Sequence, residues 1–132
     1  MKTKQISVFV ENQPGRLVAV LDVLAKKQFN VRALSISETG GEFGIIRLIL
    51  DKAEEGLEAL RQAGFTTRID WLLRTEIPDV PGGLLKSVAR PLAEAGINLD
   101  YFYASIEPTE GKAIAIIKTD DLERAEKVLK SR

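Results

Sequence analysis

Glu11-Asn12-Gln13-Pro14-Gly15-Arg16-Leu17 separates an alternating apolar stretch from a run with helical spacing, and Pro78-Asp79-Val80-Pro81-Gly82-Gly83-Leu84 echoes it. In both copies an Asx residue is followed two positions later by Pro-Gly, and a leucine then opens an amphipathic run. The pattern predicts one βα loop used twice. Proline fixes a backbone angle and glycine permits close backbone approach, so such a loop aims N–H groups outward at the helix start. Unpaired donors and the helix dipole there suit a carboxylate or another small anion. Either copy alone has a plainer reading, a well-made helix start with proline in its first turn and no ligand.

Working outward from the first copy, Ile6, Val8 and Val10 alternate with Gln5, Ser7 and Phe9, which predicts a strand with one well-buried face. Beyond the loop, Leu17, Val20, Leu21 and Leu24 recur at helical spacing, ending near Gln28. Phe29-Asn30-Val31 begins a second strand, Thr39-Gly40-Gly41 turns it, and the nearly apolar run Ile45 to Leu50 predicts a strand covered on both faces. Asp51 is placed to cap a helix carrying Leu57 and Leu60, Gly64 ends it, and Phe65 to Ile69 reads as a further strand. The order is βαββαβ.

Between Phe65 and Ile77 no glycine or proline makes a tight turn, so either the chain bends near Asp70 or one strand of about thirteen residues runs through. The pattern then repeats. Leu84, Leu85, Val88 and Leu92 are placed inward on a helix from Gly82 to Ala95, and Pro91 inside it should kink it or stop it early. Ile97-Asn98-Leu99 copies Phe29-Asn30-Val31, Thr109-Glu110-Gly111 turns the chain, Ala113 to Ile117 returns, and Asp120-Asp121 opens a last helix through Leu129. The offset is about 67 residues at the Pro-Gly pair and about 68 at the asparagine, so one extra residue lies at Gly83 or Leu85. After Leu129 too little chain remains for a closing strand, and the open edge this leaves favours capping by another segment or another chain.

The 132 residues, 45% of them apolar, suffice for one ordinary domain or two small ones, and the repeat favours two, residues 1–70 and 71–132. Lys+Arg and Asp+Glu are 19 each, so no global field draws the chain to nucleic acid or membrane. With neither cysteine nor histidine, disulfides, thiolate chemistry, imidazole catalysis and the usual zinc or copper sites are excluded. No apolar run is long enough to span a bilayer and no leader-like segment opens the chain, which predicts a cytoplasmic protein.

The duplicated loop, the βαββαβ order and the asparagine opening each second strand resemble the ACT domain family over essentially the whole chain, and in particular its small tandem members without a catalytic domain. The resemblance implies an α+β fold of two ferredoxin-like modules with antiparallel sheets, the second lacking its last strand. It also implies a small amino acid held at an interface between modules, with no cofactor. The family's ligand contacts fall on Asn12, Gln13, Pro14, Gly15, Arg16, Leu17 and Asn30, and in the second module on Asp79, Val80, Pro81, Gly82, Gly83, Leu84 and Asn98. Asp79 departs from the asparagine of the first copy. Its carboxylate accepts from an ammonium group but repels a ligand carboxylate, so the two modules need not both bind. The expected function is non-catalytic regulation by a homodimer. The alternative is a ligand-independent dimerisation or docking module for a partner metabolic enzyme.

Other signals have plainer readings. Arg47 reads as an arginine whose stem lies along the sheet with its head in water. Tyr101, Phe102 and Tyr103 lack the basic partner strand of an RNA-recognition surface and suit packing between modules. Gly40 to Gly44 links two strands without the lysine of a phosphate loop. No nucleophile stands with a base, and no ligand set for a metal is present.

Overall fold

The computed structural model describes residues 1–106 and 110–131. Thr109, assigned above to a turn, lies outside the described residues. In chain order the elements are β1 (Lys2–Glu11), α1 (Arg16–Lys26), β2 (Val31–Glu38), β3 (Phe43–Leu50), α2 (Ala53–Gln62) and β4 (Thr66–Pro78), followed by a π-helical turn (Leu85–Ala89) running into α3 (Arg90–Glu94), then β5 (Leu99–Ala104), β6 (Lys112–Thr119) and α4 (Leu122–Ser131). The α+β, ACT-like repeat is the fold that forms, and no strand follows α4 among the described residues. The stretch between the two halves does not bend into separate elements: β4 is one strand of 13 residues.

Residues Lys4–Asp70 form one unit, with strand order β2-β3-β1-β4. β1 and β3 are antiparallel, Ile6 opposite Leu48 and Glu11 opposite Phe43. Ile6, Val8, Val10, Ile46, Leu48 and Leu50 meet Val20 and Leu24 of α1 and Leu57 and Leu60 of α2 in one core. Each such fully buried aliphatic side chain contributes roughly 1.5–3 kcal/mol. Val23, not Leu21, joins Leu17 against that core, so the α1 stripe is turned slightly from the expected one. The opposite face of β1 is covered as well, since Gln5 and Ser7 are buried and the Gln5 amide donates to Ser7 Oγ, whereas alternation alone predicted one buried face. Asp51 does not cap α2. Its carboxylate accepts the Asn30 N–H (3.0 Å) while its own N–H donates to the Asn30 carbonyl (3.2 Å), so it ties β2 to β3 and leaves Lys52 as an N-cap without a side-chain bond.

The second unit comprises Trp71–Arg132 together with Met1–Thr3, and its strand order is β4-β6-β5. Leu73, Ile77, Ala115 and Ile117 pack with Val88, Leu92, Ala125 and Leu129. Beside β4 of this unit, Met1–Thr3 group with it, and the Arg74 N–H donates to the Met1 carbonyl. Asp121 opens α4 as expected, its carboxylate accepting the Arg124 N–H at 3.2 Å.

The loop hydrogen bonds of the two units match at the shorter offset through Gly82 and Lys86, whereas the buried pair Val20 and Leu24 matches Val88 and Leu92 at the longer one. The extra residue is therefore absorbed in the turn Leu85–Ala89, where the Arg90 N–H donates five residues back to Leu85. A widened turn of this kind is the usual way a helix carries an inserted residue. It sits immediately before Pro91, whose ring would otherwise press on the carbonyl four residues back, so the helix continues to Glu94 instead of stopping early. The widened turn also shifts the helical phase, and Leu84 and Leu85, expected inside, are 41% and 47% exposed.

Candidate functional site

The first loop follows β1 and precedes α1. Its N–H groups are only partly free. The Asn12 N–H donates to the Glu42 carbonyl (2.6 Å), the Gln13 N–H to Glu11 (2.8 Å) and the Arg16 N–H to Gln13 (3.4 Å). Gly15 is the N-cap of α1 at φ +90°, with no side-chain cap, and among the described residues the N–H groups of Gly15, Leu17 and Val18 meet no backbone acceptor. A Cβ built on Gly15 would touch nothing within 4 Å, so the loop is open at this point. Asn12, Gln13, Pro14 and Arg16 are exposed and Leu17 is half-buried, its side chain anchored on the core. A cavity of about 350 Å³ lies against Glu11, Asn12, Gln13, Glu42 and Phe43.

The second loop copies this backbone. The Asp79 N–H donates to the Gly111 carbonyl (3.1 Å), the Gly83 N–H to Val80 (2.9 Å) and the Lys86 N–H to Gly82 (3.0 Å). Gly83 stands where the first loop has Arg16. A Cβ there would come within 2.1 Å of the Pro78 carbonyl oxygen, so only glycine fits. Asp79, Pro81 and Gly82 are exposed, and the adjoining cavity of about 460 Å³ is walled by Val80, Gly82, Gly83, Leu84, Leu85 and Ala89. It is an apolar hollow, unlike the polar one beside Asn12.

Asn30 and Asn98 do not join the loop of their own unit. Register places Val31 opposite Leu50 and Glu11 opposite Phe43, so Asn30 and Asn12 lie at opposite ends of β3, about 23 Å apart at the ordinary strand rise. In the second unit Leu99 pairs with Thr119 and Pro78 with Lys112, which separates Asn98 from Asp79 in the same way. Both asparagines are exposed, and the Asn98 amide donates weakly to Asp100 at 3.4 Å.

Each asparagine is followed by a register shift, between Val31 and Ala33 and again between Leu99 and Tyr101. These paired β-bulges were not foreseen. A bulge re-aims the side chains beside it, here Arg32 and Asp100, and its repetition at equivalent positions was the structural sign to look for. Arg47 is half-buried and donates to Ser37 Oγ at 2.9 Å, so its head is held along the sheet and not simply solvated. Tyr101 and Tyr103 stack with ring centroids 6.4 Å apart. Among the described residues no group of three or more acidic, cysteine or histidine side chains could hold a metal, and no helix is long and apolar enough to cross a membrane.

Comparison with known proteins agrees with this architecture. A family model described as an ACT domain pair matches residues 1–132. The crystal structure of protein BT0572 from Bacteroides thetaiotaomicron is 34% identical, with a TM-score of 0.90 over 99% of this chain and 88% of that one. The regulatory subunits of aspartate kinase from Thermus thermophilus (ligand-free form) and Thermus flavus are each 20% identical, with TM-scores of 0.68 and 0.64 over 97% of this chain and 90% of theirs, a likeness of fold. No curated protein matches the chain. Two βαββ units with the same loop, the same bulge and a family match across the full length leave one conclusion: the chain belongs to the ACT domain family, as an ACT domain pair.

Proposed function

We propose that this chain is a non-catalytic regulatory protein of the cytoplasm that binds a small amino acid between ACT modules. In this reading the loop Asn12–Leu17 meets the ligand carboxylate, and Asn30 or Asn98 of a neighbouring module meets its amino group. An asparagine offers both a donor and an acceptor from one short side chain, which is what a zwitterion requires. The observation that carries the proposal is the open left-handed Gly15 at the uncapped start of α1, beside a polar cavity. The separation of Asn12 from Asn30 within one unit supports a ligand that bridges modules of two chains in a homodimer. That structural neighbours from two Thermus species are regulatory subunits of aspartate kinase supports an enzyme of amino-acid metabolism as the partner.

The test is a thermal-shift and calorimetry screen of the common amino acids up to millimolar concentration. A ligand should raise the melting temperature, and Asn12→Ala should weaken its binding far more than Asp79→Ala. Silence across the panel removes the proposal, and equal effects of the two substitutions remove the asymmetry. The apolar hollow at Val80, Leu84 and Leu85 favours the second reading, a docking module indifferent to ligand. Light scattering that shows a dimer unchanged by any amino acid, together with co-purification of an enzyme, would support it.

A further inference from the structure

We infer that the second unit docks on a second copy of this chain through the outer side of the helix over residues 85–94, the two helices running antiparallel. The inference rests on the homodimer of the reading above and adds the surface that forms it. Leu85, Ala89 and Ala93 recur at four-residue intervals and stand outside the core, whereas Val88 and Leu92 of the same helix are buried in it. The helix is therefore apolar on two sides, one of them without a neighbour among the described residues. Leu85 and Ala89 wall the apolar hollow together with Leu84 and Val80, the last 58% exposed. It is the widened turn that brings Leu85 to this side, so the inserted residue builds an apolar surface at the cost of leaving it in water.

The charges beside this stripe identify the neighbour. Lys86, Arg90 and Glu94 form the adjoining row, all exposed, and among the described residues none of them has an ion-pair partner, although Lys112, Lys118, Arg124 and Lys130 of the same unit do. A two-fold contact sets one surface against itself, so it must be self-complementary. With the axis at Ala89 and Arg90, Leu85 of each copy faces Ala93 of the other, and Lys86 of each faces Glu94 of the other. Both opposite-charge contacts thus form twice. Arg90 lies nearest the axis, with a Glu94 carboxylate one turn away on either helix, and the small Ala89 lets the helices approach closely.

The first unit serves as an internal control. Where the second has Arg90 and Glu94, α1 has Asp22 and Lys26, which pair with each other at 2.9 Å along their own helix, and where the second has Lys86 it has Val18. Opposite charges already joined within one helix leave nothing at these positions to orient another copy.

Sedimentation equilibrium of the full chain, with circular dichroism to show that each variant folds, tests the inference. Lys86→Glu and Glu94→Lys, both at exposed positions, should each weaken the dimer at least about tenfold, because either reversal sets like charges together in both symmetric contacts. The double variant Lys86→Glu with Glu94→Lys restores the pairing and should return to within about threefold of the native chain, while Lys26→Glu on α1 leaves association unchanged. A dimer of undiminished affinity in both single variants, or a double variant no tighter than the singles, overturns this inference and leaves the regulatory reading standing. A chain that stays monomeric with and without the amino-acid panel overturns this inference and the bridged homodimer together.

Discussion

The Arg16 N–H and the Gly83 N–H occupy the same rung of two equivalent loops, each donating to a carbonyl three residues back. Around that shared rung the side chains diverge. The first loop presents Asn12 and Gln13 to a polar hollow; the second presents Val80, Leu84 and Leu85 to an apolar one. The backbone of the motif is thus separable from its chemistry: Pro-Gly and the register of the preceding strand set the turn, whereas the residues between them decide what meets it. A duplicated loop is consequently evidence for a duplicated fold, and only side chains distinguish a ligand site from a helix start.

The largest effect that tests this comparison is steric. Gly83→Ala forces a Cβ onto the Pro78 carbonyl and should cost about 3 kcal/mol or more in chemical denaturation, while Arg16→Ala at the equivalent rung should stay within about 0.5 kcal/mol. Similar losses at both positions would show that the loops are not equivalent. Next come the left-handed glycines that precede them. Gly15→Ala and Gly82→Ala should each cost about 1–2 kcal/mol, nearly equally, because backbone strain and not crowding is the cause at both. A marked difference between them would locate additional contacts at one loop.

Smaller still is the contrast at the helix ends. Gln28 stands at φ +62° where the second unit has Gly96 at φ +72°, and in both the next N–H closes on a carbonyl five residues back. Gln28→Gly should therefore gain up to about 1 kcal/mol, and Gly96→Gln should lose a similar amount. Stabilisation of neither unit, or loss in Gln28→Gly, would contradict this. The smallest effect is electrostatic and belongs to the first unit alone. Lys4 hydrogen-bonds Glu54 across β1 and α2 and holds its carboxyl below the usual glutamate range, where the second unit has Trp71 in place of Lys4. A depressed folded-state value gives stability that is present above the unfolded value and lost as pH falls through the folded one. The deficit of Glu54→Gln relative to the native chain should accordingly shrink on acidification, and a deficit that grows would reverse the assignment.

How much of this was legible in the chain follows from range. Pro-Gly loops, the glycines that end helices and the Asp121 cap depend on a few neighbouring residues, and each could be read directly. The π-helical turn left one trace, the change of offset between repeats, because its hydrogen bonds depend on how the helix settles around Pro91. The bulges after Asn30 and Asn98 left none, since a bulge is defined by the partner strand. The grouping of Met1–Thr3 with the second unit depends on pairing across most of the chain, so the sequence showed only that a strand was missing. For the site, residue types at the loop were visible, but the distance between Asn12 and Asn30 and the hollows required the fold.

The most direct measurement is the number of amino-acid equivalents taken up by each chain in a calorimetric titration with the tightest-binding member of the panel. Loops alike in backbone and unlike in chemistry should give one equivalent per chain, with the heat abolished by Asn12→Ala and retained in Asp79→Ala. Two equivalents, or uptake that survives Asn12→Ala, would contradict the account.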